Sequence, residues 1–107
     1  MTISFDEFMK MDIRIGRIIS AERIKKSKKL LLLKVDIGTE TRQLVAGLAP
    51  YYKPEDLIDQ EIVVLTNLEP KVIMGYRSEG MLLAADVDSV PVILKPERDV
   101  PPGSKVT

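Results

Sequence analysis

A run of basic side chains is the strongest chemical signal in this sequence. The segment 23–34 carries six cations and no acid: Arg23, Lys25, Lys26, Lys28, Lys29 and Lys34. Clustered amines displace counterions from a nucleic-acid backbone, so the run is a candidate phosphate-contacting segment. The alternative is a solvated hairpin tip whose lysines protect an exposed strand edge. For the run taken alone, both interpretations are open.

A second candidate segment covers residues 67–81. Its polar side chains can donate to or accept from phosphates, sugars and bases, and they are Asn67, Lys71, Arg77 and Ser78. Met74 and Tyr76 could pack against a base or a ribose. The alternative is an ordinary loop, and for Ile73 and Met81 we favour burial in the core.

Catalytic and metal chemistry have little support. The chain has no histidine and no cysteine, which removes the commonest general base, the commonest metal ligand and all thiolate chemistry. The pairs Asp56/Asp59 and Asp86/Asp88 lack the further oxygen ligands of a cation site, so we interpret them as solvated loops. Glycine-rich phosphate loops are absent. We therefore predict no catalytic residue, no metal and no cofactor.

The overall charge balance conceals a local asymmetry. Lysine plus arginine and aspartate plus glutamate number 16 each, so the net charge is zero, which by itself argues against nucleic acid. Residues 1–34, however, hold nine basic and four acidic residues. Aromatic residues form 5% of the chain, and only Tyr76 lies in either candidate segment. This scarcity argues against base-by-base stacking and favours a ligand read through its backbone and shape.

Length and hydropathy predict one domain, residues 1–107. With 45% hydrophobic residues, 107 residues can bury a single modest core. No apolar run approaches the roughly 20 residues of a membrane span, so we expect no membrane partner. The first residues are acidic and lack the apolar region of a signal peptide. We therefore expect a cytoplasmic protein.

The patterning predicts short strands and two short helices. Ser4 and Glu7, at capping-box spacing, predict a helix that ends near Asp12. Its apolar stripe is Phe5, Phe8 and Met9. Pro54 is suited to the start of a second short helix. Strand-like segments are 12–19, 30–37, 41–46, 61–65 and 80–85.

Three connecting regions complete this prediction. Gly16, inside the first strand, is suited to a bulge or a tight bend. The stretch 67–79 is predicted to be irregular. A last short strand at 91–94 precedes the tail 95–103, whose prolines preclude regular structure.

Five short strands with a helix between the third and the fourth follow the order of an all-β, five-stranded OB-fold barrel. In such a barrel the basic run connects strands one and two, and the segment 67–79 connects strands four and five. These two loops flank the binding face of the fold, which favours the functional interpretation of both. The adjacent Tyr51 and Tyr52 are interpreted as a plug at one end of the barrel.

The sequence resembles the tRNA-binding domain family. The resemblance covers nearly the whole chain and lies in the segments 12–18, 34–38, 42–49, 67–71 and 75–84. The family includes the C-terminal domain or separate beta subunit of methionyl-tRNA synthetase, free-standing homodimeric relatives, and the endothelial monocyte-activating polypeptide domain.

The resemblance implies a non-catalytic protein that recognises the shape of tRNA at its elbow and outer corner. It implies a homodimer, in which the N-terminal helix (1–11) and the C-terminal extension (86–107) would be the dimerisation elements. It leaves two alternatives open, a chain that acts alone and one whose partner is the methionyl-tRNA synthetase catalytic subunit. The apolar residues of the dimerisation elements need burial beyond the barrel: Phe5, Phe8, Met9, Val90, Val92, Ile93, Leu94 and Val100.

The RNA-binding residues that the resemblance implies are Lys29, Arg42, Asn67, Lys71, Gly75, Ser78 and Met81. Lys25, Lys28 and Arg77, from the two candidate segments, complete the predicted site.

Some positions depart from the family pattern. Residues 24–28 are more basic than in many members, whereas Glu69, Val72 and Met74 stand where many members carry cations. Secretion-associated chaperone-like relatives share the barrel and the dimer and have a sequence similar to 75–79, so a polypeptide-binding role is the alternative. The stretch 43–49 favours the tRNA-binding branch.

Overall fold

The computed structural model describes residues 1–107 and contains nine strands and two four-residue helices. The helices are α1 (Phe5–Phe8) and α2 (Pro54–Leu57). The strands are β1 (Ile13–Arg23), β2 (Leu31–Asp36), β3 (Thr41–Ala46), β4 (Glu61–Leu65), β5 (Lys71–Ile73), β6 (Tyr76–Ser78), β7 (Met81–Leu82), β8 (Ala84–Val87) and β9 (Val90–Ile93). Neither helix has the length or apolar character needed to span a bilayer.

A five-stranded antiparallel sheet in the order β3-β2-β1-β4-β7 curls into a nearly closed barrel. Its two edge strands, β3 and β7, approach each other without a regular ladder. The Glu79 backbone N–H donates to the Gln43 carbonyl at 2.8 Å and continues the seam between the edges. The structure thus confirms the predicted OB-like architecture, with α2 between β3 and β4.

The core lies inside this barrel and follows the strand alternation. Ile18, Leu33, Leu44, Ile62 and Val64 are fully buried, one or two from each of the four long strands. Side chains of this size each contribute about 1.5–3 kcal/mol when removed from water. The period-two pattern of the sequence therefore sets which face of each strand points inward.

Gly16 permits the close approach of β1 and β2. A Cβ atom at Gly16 would lie 2.5 Å from Val35 Cγ1 and 3.3 Å from the Asp36 carbonyl oxygen. The bulge of β1 falls later, between Ile18 and Ser20, and it leaves Ile19 49% exposed. The prediction of a bulge at Gly16 is therefore wrong, and the structure shows a close approach of two strands at this glycine.

The sequence predicted that the basic run connects strands one and two, with Lys34 already in the second strand, and the structure differs at Arg23. β1 extends to Arg23 because residues 20–23 pair with residues 31–34 of β2. The other four cations lie in the connection 24–30. Arg23 therefore lies at the end of a strand, and Lys34 lies within one.

The stretch 67–79 was predicted to be irregular but contains the hairpin β5–β6, in which Lys71 pairs with Ser78 and Ile73 with Tyr76. The prediction is wrong because the two-residue turn, Met74-Gly75, lacks the asparagine or aspartate that usually marks such turns. The predicted fifth strand is also divided. Residues 81–82 pair with β4, while 84–87 pair with β9 in a separate hairpin.

Most of the other predicted elements agree with the structure. α1 has the predicted capping box between Ser4 and Glu7, but the helix ends at Phe8 rather than near Asp12. α2 begins at Pro54. Tyr52 packs against the core and its hydroxyl accepts from the Ile93 N–H at 3.2 Å, whereas Tyr51 is 47% exposed and does not plug the barrel.

The C-terminal tail forms hydrogen bonds with the first residues of β1, along the edge that β2 does not pair with. The Gly103 N–H donates to the Ile15 carbonyl at 2.7 Å, and the Val106 N–H donates to the Ile13 carbonyl at 2.8 Å. The carboxylate of buried Glu61 accepts from the Val100 N–H at 2.8 Å and fixes the start of this segment. Residues 95–103 contain no helix or strand, as their prolines predicted.

Candidate nucleic-acid interface

The basic loop and the β5–β6 hairpin meet around one cleft of about 480 Å³. Its polar and apolar walls are formed by Glu22, Arg23, Lys25, Lys26, Met74 and Tyr76. Three cations therefore face two apolar side chains, with a single carboxylate among them. The sequence predicted that these two loops flank a common face, and the structure brings them together there.

The conformation of the basic loop is fixed from within. Ser27 Oγ accepts hydrogen bonds from the Lys29 N–H at 3.2 Å and the Leu30 N–H at 3.1 Å. Ile24 is buried and anchors the loop to the core, and the Ala49 N–H donates to the Lys29 carbonyl at 3.0 Å. The lysine ammonium groups remain exposed, so the loop presents its charges to solvent on a defined backbone.

The four loop lysines do not all face the same cavity. Lys25 and Lys26 line the cleft. Lys29 instead borders a second pocket of about 580 Å³, together with Tyr51, Asp86 and Ser89. The Asp86 carboxylate accepts from the Ser89 N–H at 2.8 Å and supports a turn.

No cluster of acidic side chains in the structure is arranged to hold a metal ion.

Ser78 closes the barrel. It is 7% exposed, and its hydroxyl accepts from the Val45 N–H at 3.0 Å while donating to the Gly80 carbonyl at 3.3 Å. The donor and one acceptor site of the hydroxyl are therefore used within the protein. Sequence reasoning placed Ser78 in an exposed RNA-contacting loop and missed this structural role; its contact with RNA stays a prediction.

Arg42 and Asn67 are also held by backbone groups. Arg42 Nη1 donates to the carbonyls of Thr66 at 2.8 Å and Glu79 at 3.0 Å. Asn67 Oδ1 accepts from the Asp12 N–H at 2.8 Å, and its Nδ2 donates to the Lys10 carbonyl at 2.6 Å. Asn67 thus fastens the segment after α1 to the end of β4, and Arg42 fastens β3 to the residues that follow β4 and β6.

Asp12 and Arg14 form an ion pair beside this junction. Arg14 Nε and Nη2 donate to the two carboxylate oxygens of Asp12 at 2.9 and 3.0 Å. The hydrogen bond from Arg14 lowers the pKa of the Asp12 carboxyl, a shift that partial desolvation opposes, and the same hydrogen bond raises the pKa of Arg14. The sequence offered no signal for this pair beyond their two-residue spacing on a strand.

The remaining predicted residues lie on or beside the β5–β6 hairpin. Lys71 is exposed at the start of β5, and Gly75 lies in the turn at its tip. The Arg77 side chain is 62% exposed and lies 3.8 Å from the Glu79 carboxylate. Met81 is 47% exposed, so the interpretation of Met81 as a core residue is wrong, and Ile73 is only half-buried.

A row of polar contacts connects the sheet with this hairpin. Lys34 Nζ donates to Gln43 Oε1 at 2.6 Å, and Gln43 Nε2 donates to the Arg77 carbonyl at 2.9 Å. The hairpin is thereby fixed over the outer face of β2 and β3, so that the cleft has two defined walls.

The sequence of this chain matches one protein-family model and several known proteins. A model of the family described as "Putative tRNA binding domain" matches residues 13–105. The chain is 53% identical over 104 residues to a methionine–tRNA ligase of Archaeoglobus fulgidus, and 46% identical over 105 residues to one of Thermotoga maritima. These matches cover 97% and 98% of this chain but only 16% and 17% of the two ligases. The chain thus spans about a sixth of the length of these curated relatives.

Two solved structures share the whole fold. A MetRS-related protein from Pyrococcus horikoshii has a TM-score of 0.94 and 36% identity, with 100% of this chain and 99% of that chain covered. The chaperone CsaA from Bacillus anthracis has a TM-score of 0.90 and 32% identity, with both chains covered completely.

Proposed function

The chain belongs to the tRNA-binding domain family, and from that premise we propose that it is a non-catalytic module that binds tRNA by its backbone and shape. The observation that carries this proposal is the cleft at which Arg23, Lys25 and Lys26 face the hairpin tip. Ammonium and guanidinium groups on a fixed backbone are suited to binding phosphates. The positions of the phosphates depend on the shape of the RNA and carry little information about its sequence.

Further exposed cations on the basic loop and the hairpin support backbone recognition. They are Lys28 and Lys29 on the loop and Lys71 and Arg77 on the hairpin, of which Arg77 lies near the Glu79 carboxylate. By contrast, the side-chain groups best suited to reading base edges, those of Asn67 and Gln43, are engaged within the protein. Affinity for different tRNAs should therefore be similar.

We further propose that the module acts together with methionyl-tRNA synthetase. The curated relatives are methionine–tRNA ligases, and this chain corresponds to about a sixth of their length. The module would raise the local tRNA concentration for such a ligase, either as a subunit or as part of the same protein. Such work belongs in the cytoplasm, which we retain as the proposed compartment.

Exposed apolar side chains support a proposed homodimer. Phe5 is 73% exposed and Met9 47% on or beside α1, and Val87 is 54% and Val92 46% exposed on the β8–β9 hairpin. Leaving such side chains in water is unfavourable, and burial against a second copy would remove this cost. A twofold assembly would also present two basic loops to one RNA.

A chaperone-like role is the second candidate, because the fold and 32% of the sequence are shared with a chaperone, CsaA. The same exposed apolar surfaces would then receive unfolded polypeptide. Suppression of the aggregation of an unfolded client, undiminished by excess tRNA, would favour this candidate over the first.

A salt titration of tRNA binding tests the leading proposal. The intact protein should shift a tRNA transcript in a gel at low salt, with an affinity that falls steeply as salt rises. The double variant Lys25→Ala/Lys26→Ala should show a shallower salt dependence, by about two counterions. Absence of binding at low salt, or binding that is insensitive to salt, would count against the proposal.

A further inference from the structure

The turn at the tip of the β5–β6 hairpin carries a side chain that its backbone disfavours. Met74 has a φ of 53° and Gly75 a φ of 84°, and the pair Ile73–Tyr76 closes the turn. Two-residue turns with positive φ at both central positions favour asparagine, aspartate or glycine, and few other residues adopt this conformation. The requirements of the turn therefore do not explain a methionine at this position.

The other hairpin of the chain provides an internal comparison. The β8–β9 turn also has positive φ at both central positions, 50° at Asp88 and 68° at Ser89. Aspartate is among the residues that tolerate this conformation, and the Asp86 carboxylate braces the turn through the Ser89 N–H. The first central position of this turn, which corresponds to Met74, therefore carries a residue that suits its backbone.

Packing within the chain does not explain Met74 either. Met74 is 50% exposed and its neighbour across the turn, Tyr76, is 39% exposed. Both side chains line the cleft opposite Lys25 and Lys26. A strained turn thus holds a thioether and an aromatic ring in water beside cations, an arrangement that a ligand with an apolar face and negative charge would stabilise.

We propose that Met74 and Tyr76 form a platform for one unstacked base of the bound RNA, while the phosphates flanking that base contact Lys25 and Lys26. The inference rests on the proposed tRNA-binding function and refines it. A base has a flat apolar face that packs against thioethers and aromatic rings, and it is always accompanied by phosphates. A single platform also agrees with an aromatic content of only 5%.

The ligand class follows from this geometry. A regular RNA duplex keeps its bases stacked and paired, and therefore offers the platform nothing beyond its phosphates. A folded RNA with an extruded or unpaired nucleotide offers both. The cleft thus distinguishes folded RNA from plain duplex by the availability of a single base face, whatever the identity of that base.

The variant Met74→Asn separates this role from folding. Asparagine suits the positive φ, so the melting temperature should rise or stay unchanged. The affinity for a tRNA transcript should fall about tenfold, the effect expected when one stacked base is lost, while the affinity for a blunt RNA duplex stays the same. Val72→Asn, which removes an exposed apolar side chain of the same hairpin outside the cleft, is the matched control and should leave both affinities unchanged.

A fluorescent reporter tests the contact directly. The chain has no tryptophan, so Tyr76→Trp introduces a single one at the platform. Its emission should be quenched by tRNA and not by the duplex. Ile58→Trp, at an exposed position after α2 that lines neither the cleft nor the pocket beside Lys29, should respond to neither.

The experiments distinguish failure of the Met74–Tyr76 platform from failure of the proposed tRNA-binding function. Undiminished tRNA binding by Met74→Asn, or an equal loss on tRNA and duplex, overturns the platform and leaves the proposed function intact. Failure of the unaltered protein to bind tRNA at all removes the proposed function, and the platform with it.

Discussion

Ser78 Oγ accepts a hydrogen bond from the Val45 N–H at 3.0 Å, across the seam where β3 approaches the end of the β5–β6 hairpin. One hydroxyl thereby satisfies a backbone donor on an edge strand that has no regular ladder partner on that side. The seam continues at the next residue of the hairpin, where the Glu79 carboxylate accepts from the Gln43 N–H at 3.2 Å. Closure of this barrel therefore depends on side chains as well as backbone.

Replacement of Ser78 should destabilise the fold. Ser78→Ala leaves the Val45 N–H without its partner in a partly buried seam, which should cost about 1–3 kcal/mol of unfolding free energy. Urea unfolding followed by circular dichroism measures this cost. Ser20→Ala, at an exposed position of β1, is the control and should change stability by less than about 0.5 kcal/mol. An unchanged urea midpoint for Ser78→Ala would contradict the structural role.

The two glycines at 16 and 47 should respond differently to alanine. In Gly16→Ala the new methyl group would lie 2.5 Å from Val35 Cγ1, so the strands must separate and stability should fall by about 1–3 kcal/mol. A methyl group at Gly47 meets no atom within 4 Å, so Gly47→Ala should be close to neutral. Thermal melting of both variants checks this difference, and equal melting temperatures would refute it.

Acid should destabilise the fold by removing the ion pair between Asp12 and Arg14. The folded-state pKa of Asp12 lies below its ordinary value of 3.8, so its ion pair with Arg14 contributes stability in full above that pH. The contribution is lost as the pH falls through the depressed folded-state pKa. Melting temperature against pH should therefore decline less steeply below pH 3.8 for Asp12→Asn than for the unaltered protein, and parallel curves would exclude the effect.

The basic loop should bind all tRNAs alike. Lys28→Ala/Lys29→Ala removes two exposed cations from the loop and should weaken binding by a similar factor for every tRNA, because phosphate contacts carry little sequence information. Gel shifts with several transcripts at one salt concentration measure this. The control, Lys10→Ala/Lys105→Ala, removes two exposed cations from the region of Asp12 and should have a smaller effect. Selective loss for one tRNA would contradict shape recognition.

Removal of residues 1–10 should shift the proposed homodimer toward monomer. The deletion eliminates the apolar side chains of Phe5 and Met9, which are 73% and 47% exposed. Light scattering gives the molar mass, and circular dichroism verifies that the barrel remains folded. A monomeric mass for the intact protein would exclude the homodimer.

The sequence predicted those parts of the fold that depend on local alternation. The strands around Ile15, Leu33 and Val64 and the capping box at Ser4 are encoded within a few residues, and each was identified correctly. The hairpin tip at Met74 was missed because its residue types contradict its turn, and the division of the fifth strand was missed because Leu82 and Ala84 are equally suited to either sheet.

The candidate site was predicted in position more than in detail. The charge run from Arg23 and its placement between two strands were sufficient to locate the basic loop. Ser78, Arg42 and Asn67 form hydrogen bonds within the protein to partners more than 20 residues away in the sequence. These partners are Val45 for Ser78, Thr66 for Arg42 and Asp12 for Asn67. No local pattern reports such contacts, so exposed polar residues and residues that fasten the barrel look the same in sequence.

The pairing of the tail with β1 has a consequence for the order of folding. The hydrogen bonds that join Ile13 and Ile15 to residues 103–106 close a loop that contains almost the entire chain. Loop-closure entropy must be overcome before such distant contacts contribute, so they slow folding and form late. The barrel can therefore assemble from its local hairpins first, while the beginning of β1 stays half-paired until the last residues arrive and complete it.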